Sequence, residues 1–108
     1  MLQVETEHKS AGQWAWFAQR DARMRSAVNS TLYTDKQKVR AERVKLALNT
    51  FVRADGIFIE YRKKFISVKV HKPKYVNKKE LSVFEQDWDS EGIVKVVTSQ
   101  GFTYRLAA

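Results

Sequence analysis

At Gly56 the spacing of apolar residues changes period, and that change limits what the chain can fold into. Before it, Val39, Val44, Ala47, Leu48 and Phe51 recur at helical intervals and form one face of a helix. After it, Ile57, Ile59 and Tyr61 alternate with their neighbours, and so do Ile66, Val68 and Val70, as side chains do on the two faces of a strand. A chain that switches from one period to the other must pack helices against a sheet.

Capping-box spacings divide the rest. Ser10 with Gln13, Thr34 with Gln37 and Asn77 with Glu80 each place a side-chain acceptor three residues before a group that reaches back to it, which predicts helices over about 11–28, 35–54 and 78–88. Asp55-Gly56 reads as the stop of the second helix. Residues 57–61 and 65–70 read as a hairpin with Arg62-Lys63-Lys64 at its tip, and 93–98 with 102–106 as a second hairpin turning at Ser99-Gln100-Gly101. The expected fold class is therefore α+β, two N-terminal helices followed by ββαββ, with a mainly antiparallel sheet and helices packed on it. At 108 residues, with 4 Gly, 1 Pro and no linker-like tract, the chain is expected to be one domain, residues 1–9 forming a flexible or extended N-terminal segment.

Charge is distributed unevenly along this framework. The net charge is +8, yet residues 36–79 carry fourteen basic side chains against three acids, while residues 80–108 hold five acids and two bases. The middle of the chain thus carries more than the whole excess, the footprint expected of a polyanion-binding surface. On the second helix the cations are Lys36, Lys38, Arg40, Arg43 and Lys45; in the hairpin and beyond it they are Arg62, Lys63, Lys64, Lys69, Lys72, Lys74, Lys78 and Lys79. Tyr61, Phe65 and Tyr75 are interleaved with them. Lys and Arg neutralise phosphates while aromatic rings stack on unpaired bases, so these residues are the expected nucleic-acid contacts, to DNA or RNA. Two helices followed by a hairpin with a cationic tip resemble a winged helix-turn-helix, although the connection Asn29 to Tyr33 lacks the glycine of the usual tight turn.

A second reading concerns proteins. Trp14 and Trp16 are two positions apart, about 200° around a helix, so they do not face one core together. An exposed Trp suits a protein interface, and with the acidic segment 80–91 it makes an inhibitor, an adaptor or a homodimer the alternative to nucleic-acid binding.

Other classes find little support. With no cysteine there is no disulfide, thiolate metal site or thiol nucleophile, and no cofactor or metal is expected. Asp87, Asp89, Glu91 and Gly92 follow the opening of a calcium loop, but Thr98 stands where its closing carboxylate belongs. His8 and His71 have no nucleophile spaced to use them, and no phosphate loop or hydrolase motif occurs, so the chain is not expected to be an enzyme. No apolar run spans a membrane, and a cytoplasmic location is the expectation. Leu106-Ala107-Ala108 resembles the end of the bacterial tag added to stalled nascent chains, which points to a phage or mobile-element regulator.

Overall fold

The computed structural model describes residues 23–107. Residues 23–29 are helical (α1) and lead into a single 3-10 turn, Ser30–Leu32. There follow α2 (Asp35–Phe51), β1 (Val52–Tyr61), β2 (Phe65–Val76), α3 (Lys78–Ser90), β3 (Val94–Thr98) and β4 (Gly101–Ala107). The four strands form one antiparallel sheet in the order β1-β2-β4-β3, so the protein is α+β with helices against an antiparallel sheet. Residues 11–22 of the first expected helix, its Ser10 cap and the segment 1–9 lie outside the described residues.

Two of the predicted caps form, the first as a full capping box and the second through the Asn77 side chain alone. Thr34 Oγ1 accepts from the Gln37 N–H, and Gln37 Oε1 accepts from the Thr34 N–H at 2.8 Å, satisfying donors that the first turn of α2 leaves free. Asn77 Oδ1 accepts from the Glu80 N–H at the start of α3.

The end of α2 differs from expectation. The helix stops at Phe51, and Val52 is already extended, with no loop between helix and strand. Asp55-Gly56 is therefore not a cap but part of β1, which pairs with β2 as far as Val52 opposite Val76. Val52 is 4 % exposed, and burying this β-branched side chain in the sheet overrides the helical pattern around it. The second strand likewise runs past His71 to Val76, through Pro73, because a register shift at Arg53/Ala54 interrupts the ladder beside the proline and leaves Lys74 as the extra residue. The Phe58 ring lies over Gly56, where a Cβ would push the ring aside. The hairpin, moreover, is half of one continuous sheet and not a separate wing, which sets the fold apart from a winged helix.

Only one face of the sheet is covered by α2 and α3. Ile66, Val68 and Val70 of β2 and Phe102, Tyr104 and Leu106 of β4 meet Ala41, Val44 and Leu48 of α2 and Leu81 and Trp88 of α3. Trp88 stands edge-on to Tyr104 at 5.1 Å between ring centroids, and Phe84 links it to Phe51. Leu48 has no exposed surface, so Leu48→Ala is expected to cost about 2–5 kcal/mol. Val97 is 75 % exposed, and Val97→Thr is expected to change stability by no more than about 0.5 kcal/mol. Urea unfolding of both variants, read as midpoint shifts at constant m value, checks the assignment of the core.

Candidate nucleic-acid interface

The expected contact residues fall into four groups. The first is the hairpin tip. Arg62, Lys63 and Lys64 form the three-residue connection between β1 and β2 and are all exposed. The Arg62 N–H donates to the Phe65 carbonyl at 2.9 Å, and the Tyr33 hydroxyl donates to the Arg62 carbonyl, so the loop is held from within and from the start of α2. Arg62 pairs with Glu60 at 2.9 Å; among the described residues Lys63 and Lys64 have no acidic partner. Tyr61, expected as a stacking residue, is half-buried on the helix side with its ring 5.9 Å from Tyr33. Burial raises the pKa of both hydroxyls, with Glu42 adding to the effect on Tyr61. Tyr61 therefore buttresses the tip and is not an open platform.

The second group lies at the other end of the hairpin. Lys72, Lys74 and Tyr75 are exposed near the register shift, and Lys78 and Lys79 occupy the first turn of α3. Lys72 takes a positive φ of 48° while its N–H donates to the Gln100 carbonyl at 2.7 Å. Lys74 binds Asp55 at 3.0 Å; that hydrogen bond and charge hold the Asp55 carboxyl below its ordinary pKa. Lys78 and Lys79 sit where the helix dipole disfavours cations. The ten residues from Lys64 to Lys74 place this group roughly 33 Å from the tip, so only an extended ligand reaches both.

The third group is α2. Lys36 and Arg43 are exposed, Lys38 and Lys45 half-buried, and Arg40 donates to the Glu91 carboxylate at 3.1 Å and to its carbonyl at 2.9 Å. Arg40 thus ties α2 to the end of α3. The fourth group is on the sheet face that α2 and α3 leave uncovered: Phe65 and Lys69 of β2, with Phe58 of β1 opposite Lys69 and Arg105 of β4 opposite Ser67. Phe58 is 49 % exposed, and the Arg105 guanidinium lies 4.8 Å from the Phe65 ring centroid. Phe58 and Arg105 were not among the expected contacts. Phe58 alternates with core-facing Ile57 and Ile59, and that phase was its only signal in the sequence.

The residues of the protein-docking reading are less completely placed. Trp14 and Trp16 lie outside the described residues. In the acidic segment, Glu91 is held by Arg40, and Glu85 accepts from the Tyr104 hydroxyl at 2.8 Å while pairing with Lys95 at 2.8 Å, leaving Glu80, Asp87 and Asp89 exposed. This Glu85-Lys95-Tyr104 cluster lies in an open groove between α3 and β3, and Lys95 also covers the Phe102 ring at 4.7 Å. Gly92, which resembled part of a calcium loop, instead follows the end of α3 with a φ of 83°. Among the described residues no three metal-ligating side chains converge, and no helix is long and apolar enough to cross a membrane. Leu106, central to the tag-like ending, is 2 % exposed and paired with Ile66, so exposing it requires β4 to come away from β2.

The chain matches no family model, no curated protein and no solved structure.

Burial, and then the hydrogen bond and charge of Glu85, raise the Tyr104 pKa well above the ordinary 10.0. A folded-state pKa above the unfolded one contributes stability that is complete below the unfolded value and lost as pH rises past it. Stability is therefore expected to hold up to about pH 10 and to fall above it, with Tyr104→Phe reducing that fall. Denaturant midpoints measured between neutral and strongly alkaline pH decide this, and parallel losses in parent and variant would assign the fall to other groups.

Proposed function

We propose that the protein is a small, non-enzymatic nucleic-acid-binding protein that contacts phosphates through its β1–β2 hairpin. The observation that carries this reading is the tip: three adjacent cations on an anchored loop, two of them without an acidic partner among the described residues. Adjacent like charges repel, an arrangement that becomes favourable when phosphates lie between them. Because the loop backbone is held by Tyr33 and by its own Arg62-to-Phe65 hydrogen bond, little order has to be imposed on it at binding.

The basic residues of α2 support a lesser role. Their helix packs Ala41, Val44 and Leu48 into the core on one side of the sheet, while Phe58, Phe65 and Lys69 are on the other. A ligand lying against the sheet face meets the tip but not the outer surface of α2.

Salt titration of binding to labelled single-stranded and duplex oligonucleotides tests the reading. Affinity is expected to fall steeply with ionic strength, and absence of binding at low salt overturns the proposal. Replacing Arg62, Lys63 and Lys64 together by Gln is expected to leave the melting temperature unchanged or slightly raised. The same change should make the slope of log K against log salt shallower by about two units, mainly through Lys63 and Lys64, since Arg62 is already paired with Glu60. An unchanged slope would move the contact away from the tip.

A further inference from the structure

We infer that the ligand is a single strand, laid across the sheet face that α2 and α3 leave uncovered, with its bases stacked on Phe58 and on the Phe65–Arg105 pair. This rests on the nucleic-acid reading and names the form of the ligand and the surface that holds it.

The alternation of β2 separates its side chains into two sets. Ile66, Val68 and Val70 point into the core, while Phe65, Ser67 and Lys69 point away from it. The antiparallel register adds Phe58 beside Lys69 and Arg105 beside Ser67 on the same outward face. Phe65 stands four residues along the strand from Lys69, so about 14 Å separates the two aromatic positions. Ser67, 4 % exposed, is a small residue between them. The surface thus offers two aromatic platforms, with the small, buried Ser67 between them and Lys69 beside Phe58.

Phe58 offers a half-exposed aromatic ring on this face, and the charges around it indicate the kind of ligand it suits. Lys69 and Arg105 share the face and Lys63 and Lys64 stand at its end, while Glu60, which the register sets opposite Ser67 between the two rings, is paired to Arg62. Cations next to flat apolar rings match a ligand that alternates phosphates with aromatic bases. The guanidinium of Arg105 over Phe65 adds a second planar surface of the kind on which bases stack.

Geometry argues against a duplex at this face. Three inter-strand spacings make the sheet roughly 14 Å wide, more than the major groove of about 12 Å, which admits a helix or a two-stranded ribbon. Bases paired within a duplex also offer no free face to Phe58. A single strand exposes its bases and follows a surface of this width.

The test compares a fluorescently labelled oligonucleotide of about 16 nucleotides, as single-stranded DNA, as single-stranded RNA and as DNA duplex, binding to the full chain and to Phe58→Leu. Leucine keeps an apolar side chain above Gly56 but removes the stacking surface. The parent is expected to bind single strands more tightly than duplex. Phe58→Leu is expected to weaken single-strand binding roughly 5- to 100-fold, with an unchanged salt slope and melting temperature. Phe65→Leu should do the same and release Arg105. Binding with a preference for duplex, or single-strand binding unaffected by both substitutions, overturns this proposal while leaving the nucleic-acid reading standing; absence of binding to every probe overturns both. If Phe58→Leu lowers the melting temperature without changing affinity, the face is covered by protein, either this chain or a second copy, and the proposal fails.

Discussion

The alternation of β2 is the constraint on which the rest of the structure depends. Ile66, Val68 and Val70 must be buried together, which obliges β1 and β4 to present Ile57, Ile59, Phe102, Tyr104 and Leu106 on the same face. A slip of one residue in the β1 pairing would turn Ile57 and Ile59 outward and bring Phe58 into the core, and a slip of β4 would do the same with Arg105. Register is therefore fixed by burial on one side, and the character of the outward face follows from it. Phe58 and Phe65 stand outside because they occupy the opposite phase, not because their polarity places them there.

A second constraint is the junction of α2 with β1. Phe51 ends the helix and Val52 begins the strand, and the Phe51 carbonyl accepts from the Asn77 N–H at 2.8 Å, just before α3 starts. One point thus joins a helix C-terminus, the start of β1 and the entry to α3. With α2 and β1 running back along one another from this junction, the start of α2 arrives at the far end of the hairpin, where Tyr33 meets the Arg62 carbonyl. Side chains of α1 reach the same end: the Ser26 hydroxyl accepts from the Tyr61 N–H at 3.0 Å, and Asn29 Nδ2 donates to the Tyr61 carbonyl at 3.1 Å. They satisfy backbone groups that an edge strand would otherwise present to water or to another strand.

The described ion pairs sort the charges that one-dimensional counting treated alike. Arg40, Arg62 and Lys74 each have a carboxylate partner, and Lys95 has Glu85, all in pairs that retain solvent exposure. Such pairs contribute little to stability, of order 0–1 kcal/mol. Their larger consequence is to leave Lys63 and Lys64 as the cations of the tip that no described acid offsets. The same sorting applies to the acids of α3 and its C-cap, where Glu85 and Glu91 are tied to Lys95 and Arg40 while Glu80, Asp87 and Asp89 form no ion pair among the described residues.

Much of this fold was legible in local chemistry. Thr34/Gln37 and Asn77/Glu80 mark helix starts because the capping groups are a few residues apart, and Ile57/Ile59/Tyr61 and Ile66/Val68/Val70 mark strands because period two is a property of adjacent residues. By itself the sequence determined an α+β chain, a hairpin whose tip must be cationic, and a concentration of positive charge between residues 36 and 79. It did not determine that α2 would end at Phe51, because Val52 leaves the helix only to be buried against partners more than twenty residues away. Nor did it separate Tyr61 from Phe65 as candidate platforms, or bring Arg105 to the latter. Those outcomes depend on which strands become neighbours and which face the helices cover, and both are set by long-range burial, not by the residues nearby.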